Sequence, residues 1–227
     1  SSMKINPKEL VKMIDVSMLQ SVNTEADIQY LIEKTKKYQF ICAFALPCYS
    51  QTLVEAFKDE DIMVGAPIGF PTGAELTEVK IFQAKTLYDI GCDEFDMVMN
   101  IGWLKSKQFG KVAKDIQAVY QTIAEKPLKV IVEAMYLTDD ELTEACKIVM
   151  NSGAEFIKTG TGWATKPTEI RHVEIMAKTI QGRIKMKAAG GIRDYETLCK
   201  MHDMGVSRFG VSLSSGIKIV EEARSKP

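Results

Sequence analysis

The stretch "SGAEFIKTG", residues 152–160, closes an amphipathic segment, turns on Gly153 and enters a short apolar run. Glycine ends helices readily because it takes the left-handed conformation without strain. The pattern therefore predicts a helix, a glycine stop and a strand. It recurs as "IGCDEFDMV" (90–98) and "MGVSRFGVS" (204–212), with Gly91 and Gly205 in the equivalent place. Three junctions of one form read as a quasi-repeat of a β-α unit.

Eight strand candidates run along the chain: 13–17, 40–46, 62–68, 94–100, 128–134, 155–160, 184–190 and 207–212. Most are rich in Val, Ile, Phe or Met, as strands buried on both faces are. Helix-like segments lie between them. Residues 24–38 begin at Thr24 and 138–153 at Thr138, each placed as an N-cap before apolar residues at helical spacing. Eight such units predict an α/β chain folded as a single-domain TIM (β/α)8 barrel over 1–227, with Ser1-Ser2 read as an expression scar. A doubly wound open sheet is the alternative. No G-x-G-x-x-G opens a helix after a strand, which disfavours a dinucleotide fold.

The 227 residues are 46% hydrophobic with a net charge of −1. No block of like charges advertises a nucleic-acid or membrane surface. The five cysteines include no C-x-x-C pair, which suggests a reducing, cytoplasmic setting without disulfides. With two histidines and no Cys/His cluster, the chain lacks the signature of a zinc site, and no metal or cofactor is expected. No apolar run approaches the ~20 residues needed to span a bilayer.

Three strands carry charges near their C-terminal ends, where TIM barrels place functional residues: Asp96, Lys158 and Lys187. Phe156, Lys158 and Gly160 share one side of their strand, and Asp96 shares a side with Glu94. They could be ordinary strand charges, facing solvent or paired. Parallel barrel strands, however, have no solvent face in mid-strand. A buried lysine loses solvation and its pKa falls, the more so beside a second lysine. Such an amine is a nucleophile suited to Schiff-base formation, with a nearby carboxylate to carry protons. Glycine-rich "AAGGIR" (188–193) and "FGVSLSSG" (209–216) follow strands seven and eight, where backbone N–H groups often hold phosphate. Each glycine loop alone could equally be a tight turn.

These segments resemble the deoxyribose-phosphate aldolase family, class I aldolases on a TIM barrel. The likeness covers nearly the whole chain and rests on five motifs in order: "VGAPIGFPTGAELTEVK" (64–80), "GCDEFDMVMNIGWLKS" (91–106), "LKVIVEAMYLTDDE" (128–141), "GAEFIKTGTGW" (153–163) and "KAAGGIR" (187–193). The resemblance implies reversible cleavage of 2-deoxyribose 5-phosphate to acetaldehyde and glyceraldehyde 3-phosphate. It makes Lys158 the Schiff-base lysine, Lys187 the group that depresses its pKa, Asp96 a proton relay and Asp15 a support for that network. It implies substrate contacts from Ser17, Phe44, Thr161, Gly162, Gly190, Gly191, Ser212 and Ser214. The glycines beside Lys158 would leave room for substrate. A homodimer is consistent with the same resemblance.

The chain departs from the family around the expected pocket. "KTGTG" puts Gly160 in place of a serine, and Asp15-Val16-Ser17 stands for Asp-His-Thr. Phe44 stands where cysteine is common and would narrow that wall; Leu46 replaces a polar residue. "WATKPTEIRHV" (163–173) is shorter than the family's loop, and Leu213 interrupts the serines of "GVSLSSG". Lys166 or Arg171 would compensate at the phosphate site, or both lie on a solvated helix face. Trp163 is packing that sits near enough to touch substrate, and Cys42 and Cys48 are core fillers. Lys185 falls at the stability end of its strand. Alternatives to the deoxyribose-phosphate reaction are a related Schiff-base aldolase with another sugar phosphate or an unphosphorylated aldehyde, and a non-catalytic sugar-phosphate-binding barrel. A metal-dependent aldolase is disfavoured by the missing histidines.

Overall fold

In the computed structural model, which describes residues 4–226, helices and strands alternate as the junctions imply. Ser1 and Ser2, read as a scar, lie outside the described residues. Helix α1 (Pro7–Leu10) precedes β1 (Ile14–Met18). Then come α2 (Glu25–Tyr38), β2 (Cys42–Ala45), α3 (Ser50–Phe57), β3 (Met63–Ile68), α4 (Thr77–Ile90) and β4 (Glu94–Val98). Next are α5 (Ile101–Lys105), α6 (Phe109–Thr122), β5 (Leu128–Ile131), α7 (Asp139–Met150), β6 (Phe156–Lys158) and α8 (Ile170–Ile180). The chain finishes with β7 (Lys185–Ala189), α9 (Tyr195–Asp203), β8 (Val206–Ser212) and α10 (Leu213–Arg224). Among the described residues no helix is long and apolar enough to cross a membrane.

Local chemistry sets the helix ends. Thr24 and Asp27 form a reciprocal capping box at the start of α2, as Thr138 and Glu141 do for α7. Gly91 caps α4 at φ +113°, and Gly205 follows the α9 cap at φ +108°. The third junction differs: α7 stops at Met150 with Asn151 as its cap, and Gly153, at φ +93°, makes the turn beyond it. A Cβ there would stand 2.6 Å from the Tyr120 ring, so glycine is required for space as well as conformation. Several strands are also shorter at their C-terminal ends than expected, because residues there leave the ladder to build the loops of the site.

The strands pair in sequence order, all parallel, and β1 closes on β8. Alternation then divides each strand. Outward residues such as Val16, Val64, Phe95, Val130, Ile157 and Phe209 meet the helices and form the hydrophobic core. Inward residues sort into layers of four from alternate strands, as in TIM barrels generally. Even strands give Cys42, Glu94, Phe156 and Arg208 at the lower level. Odd strands give Asp15, Gly65, Lys129 and Lys187. Even strands give Phe44, Asp96, Lys158 and Gly210 above them. Bulky aliphatic groups usually fill such an interior; here charge and aromatic rings do. Two glycines make this fit. A Cβ on Gly65 would overlap the Phe44 ring at 2.1 Å, and one on Gly210 would lie 2.9 Å from Lys187 Cε.

Candidate active site

Lys158 ends β6 with its ammonium inside the barrel, only 5% exposed. Its Nζ donates to Asp96 Oδ2 at 3.0 Å, and Lys187 Nζ donates to the same oxygen at 2.8 Å. Lys187 also donates to Asp15 Oδ2 at 2.5 Å. The fold thus gathers the four residues singled out as catalytic from four strands. Asp96 Oδ1 accepts no hydrogen bond among the described residues, although Lys129 Nζ stands 3.3 Å away. That oxygen faces the Lys129 charge without a hydrogen bond to it.

Two charges and one carboxylate complete the cluster, and sequence reasoning gave them no role. Lys129 Nζ bridges Asp15 Oδ2 (2.9 Å) and Glu94 Oε1 (2.7 Å). Arg208 reaches Asp15 Oδ1 at 3.0 Å and Glu94 Oε1 at 2.8 Å. The signal was present: Lys129 in "LKVIV" is a lysine among apolar strand residues, as Lys158 is in "FIK". Asp15, Cys42 and Glu94 lie close enough together to suggest a metal site. Both carboxylates are already taken by Lys129 and Arg208, so the residues present do not fit a cation.

The electrostatics follow from burial and neighbours. Burial lowers the Lys158 pKa, Lys187 lowers it further, and the opposing Asp96 recovers only part, leaving it at about 8 instead of 10.5. Burial alone would raise Asp96, but Lys129, Lys187 and Lys158 overrule it and hold the carboxyl well below its ordinary range. Asp15 is held low against burial by Lys129, Lys187 and Arg208. Burial would likewise lower Lys129, yet Asp15, Asp96 and Glu94 raise it well above its ordinary value. Of these groups, the amine of Lys158 is the one moved toward its neutral, nucleophilic form.

A pocket of about 380 Å³ opens above Lys158 and Lys187. Ser17 and Phe44 form part of its wall, and Thr161 and Gly162 line it from the turn after β6. Gly190 and Gly191, at φ +101° and +78°, line it after β7, and Ser212 and Ser214 at the start of α10. Ser212 is the N-cap of that helix and accepts from Ser215 N–H. Every expected contact residue therefore borders one space, with Asp96 beneath it. The Phe44 ring lies against both amines at the floor: Lys187 Nζ is 4.5 Å from its centroid and Lys158 Nζ 5.6 Å. Cys42 lies inside the barrel below, its thiol pushed up by burial.

Several expectations need correction. Gly160 leaves no room for substrate, since a Cβ there would meet Met135 Cε at 2.8 Å, Ala189 O at 3.0 Å and Glu133 Oε1 at 3.1 Å. Gly162, open on that side, does border the pocket. Arg171 is turned to Asp139 and Glu169 on the outside, and Lys166 lies on an exposed loop. The cation bordering the pocket beside Gly191 is Arg193, which the sequence reading left inside a motif. Leu213 is buried and opens α10, so it does not disrupt the serines' place at the helix start. Cys48 is exposed and fills no core; all five cysteines are free. Glu133, held at φ +52°, was missed: it accepts from Thr161 N–H at 2.9 Å and from its hydroxyl at 2.6 Å, fixing the turn after Lys158. Trp163 borders the pocket and donates its indole N–H to Leu19 O at 3.0 Å, tying two rim loops together.

Known proteins resemble this chain along nearly its whole length. The model of the DeoC/LacD family aldolases matches residues 2–219. The chain is 40% identical over 222 residues to a deoxyribose-phosphate aldolase of Sinorhizobium medicae, covering 97% of this chain and 90% of that protein. It is 41% identical over 213 residues to the one from Finegoldia magna, covering 94% and 99%. Among solved structures, the tetrameric deoxyribose phosphate aldolase of Aeropyrum pernix superposes with a TM-score of 0.88 at 27% identity, covering 97% of this chain and 93% of that one.

Proposed function

The chain belongs to the DeoC/LacD family of aldolases, and on that premise we propose that it cleaves 2-deoxyribose 5-phosphate reversibly to acetaldehyde and glyceraldehyde 3-phosphate through a Schiff base on Lys158. The observation that carries the reading is the Lys158 amine: buried, with a pKa of about 8, at the floor of the pocket and 3.0 Å from a carboxylate it shares with Lys187.

The neutral amine attacks C1 of the open-chain sugar and forms a carbinolamine. Loss of its hydroxyl as water leaves an iminium, with Asp96 and Lys187 relaying the protons. The C3 hydroxyl gives its proton to the Asp96–Lys187 relay, which later returns one to C2; the C2–C3 bond breaks, and its electron pair flows into the iminium to give an enamine. Glyceraldehyde 3-phosphate departs. Protonation of the enamine at C2 and attack of water on the iminium release acetaldehyde and restore Lys158. The iminium is the electron sink, so this route assigns no step to a metal. At the other end of the pocket, the N–H groups of Gly190 and Gly191, the start of α10 with Ser212 and Ser214, and Arg193 suit a phosphate. Ser17, Phe44, Thr161 and Gly162 border the carbon chain between the two ends. The reading includes a homodimer, which a monomeric mass by light scattering would refute, and a cytoplasmic enzyme, in keeping with five free cysteines.

Incubation with acetaldehyde or with 2-deoxyribose 5-phosphate, borohydride reduction and peptide mass spectrometry test the reaction. A two-carbon adduct on Lys158 from both is expected. An adduct from acetaldehyde alone would point to a different donor or phosphate-bearing partner, the reading that the Phe44 ring at the pocket floor favours. No adduct on Lys158 from either would leave a binding-only barrel.

A further inference from the structure

The barrel interior holds three buried carboxylates, Asp15, Glu94 and Asp96, against four cationic side chains, Lys129, Lys158, Lys187 and Arg208. A dry interior does not tolerate an unbalanced charge, because removing an ion from water is costly unless a partner compensates it. Three anions can hold three cations. The fourth is the first to release its proton, and which one that is depends on partners. Lys129 has carboxylate oxygens of Asp15, Glu94 and Asp96 within 3.3 Å, and Arg208 has those of Asp15 and Glu94 within 3.0 Å. Lys187 has two carboxylates within 2.8 Å. Lys158 has one, Asp96, and shares it.

We propose that Lys129 and Glu94, which need never touch substrate, are positioning residues that set the protonation of Lys158 through the net charge of the buried cluster. This rests on Lys158 being the Schiff-base lysine and extends it: the nucleophile is selected by the charge balance of the three interior layers rather than by Lys187 alone. The other strands add no competing charge. Glycine stands at this level on β3, and Cys42 on β2 is a thiol that burial keeps neutral. Glu133, on the loop after β5, has both oxygens on Thr161.

The arithmetic predicts shifts of opposite sign. Lys129→Met leaves three anions and three cations, so Lys158 keeps its proton and the acid limb of the kcat/KM profile moves to higher pH. Glu94→Gln leaves two anions and four cations, so the limb moves lower. Each shift is expected to be about one pH unit, given that the charge removed belongs to a buried cluster. The double variant restores a surplus of one cation and brings the limb back toward wild type, and Lys129→Arg keeps it near wild type even where kcat falls. Damage to packing alone would not change direction with the sign of the charge removed. The experiment is kcat/KM against pH for cleavage of 2-deoxyribose 5-phosphate in wild type and these variants, beside borohydride trapping on wild-type Lys158. Should Lys129→Met not fold, Arg208→Met removes the same charge from Glu94 and carries the same expectation. Limbs that stay in place, or move the same way, overturn the proposal while a wild-type Lys158 adduct leaves the Schiff-base reading standing. Absence of that adduct overturns both.

Discussion

Lys158 is a side chain whose chemistry and stability pull in opposite directions. Its pKa falls from 10.5 to about 8 in the fold. At pH 7 the unfolded chain therefore binds this proton more tightly than the native one does. The sign follows: the group destabilises the native state at neutral pH, and that cost fades as pH rises from about 8 through 10.5. Lys158→Met should abolish cleavage and yet raise the melting temperature by several degrees, corresponding to up to about 3 kcal/mol at 1.36 kcal/mol per pKa unit. Calorimetry of the two proteins at pH 7 checks it, and a lower melting temperature in the variant would refute it. The gain survives because Asp96 keeps Lys187 at 2.8 Å and Lys129 at 3.3 Å after Lys158 is gone, so no buried carboxylate is left unpaired.

At the scale of the element, β2 and β3 are matched through one missing side chain. Phe44 and Gly65 are paired across the ladder, and the Phe44 ring occupies the space a Cβ on Gly65 would need, 2.1 Å away. The ring is enclosed by Lys129, Lys158 and Lys187, whose Nζ atoms lie 4.5–5.6 Å from its centroid. It cannot move aside without displacing charge. Gly65→Ala should therefore cost about 1–3 kcal/mol, the usual penalty of overpacking, and displace the ring into the pocket. Combining it with Phe44→Ala should recover much of the lost stability. Denaturant unfolding of both single variants and the pair measures the coupling, and additive effects would refute the matched fit.

For the whole molecule, the interior network makes the barrel sensitive to acid. Asp15 and Asp96 are held well below the ordinary carboxylate value of 3.8. A depressed native pKa contributes stability that is fully present above the unfolded value and is lost as pH falls through it toward the native one. Unfolding free energy should thus hold between pH 5 and 7 and fall steeply below about pH 4. Asp15→Asn should start lower at pH 7, because it leaves Lys129, Lys187 and Arg208 under-compensated, but lose less between pH 5 and 3. Urea titrations at those pH values decide it; parallel acid slopes would show that Asp15 is not a source of the loss.

The barrel was legible because its evidence is local and repeated. Glycine junctions, threonine caps and apolar strand runs are each fixed by residues within a turn of one another, and closure follows once eight units are counted. Lys158, Lys187 and Asp96 were legible for a related reason: a charge inside a strand with no solvent face must have a purpose. Lys129 and Arg208 carried that signal too. Their meaning depends on Asp15 and Glu94, more than a hundred residues away in the pairs Lys129–Asp15 and Arg208–Glu94, and no spacing in the chain reports such partners. The function of Gly160 was likewise decided in three dimensions, by Met135, Ala189 and Glu133 crowding it. So was the identity of the cation at the pocket rim: Arg171 turns to Asp139 while Arg193 borders the pocket. The sequence by itself determined which elements form and which strands carry charge inward, because those follow from backbone conformation and two-residue alternation. Only the tertiary structure decided which charges meet and how many they are, because Coulomb balance in a dry interior is settled among strands that the chain order keeps apart.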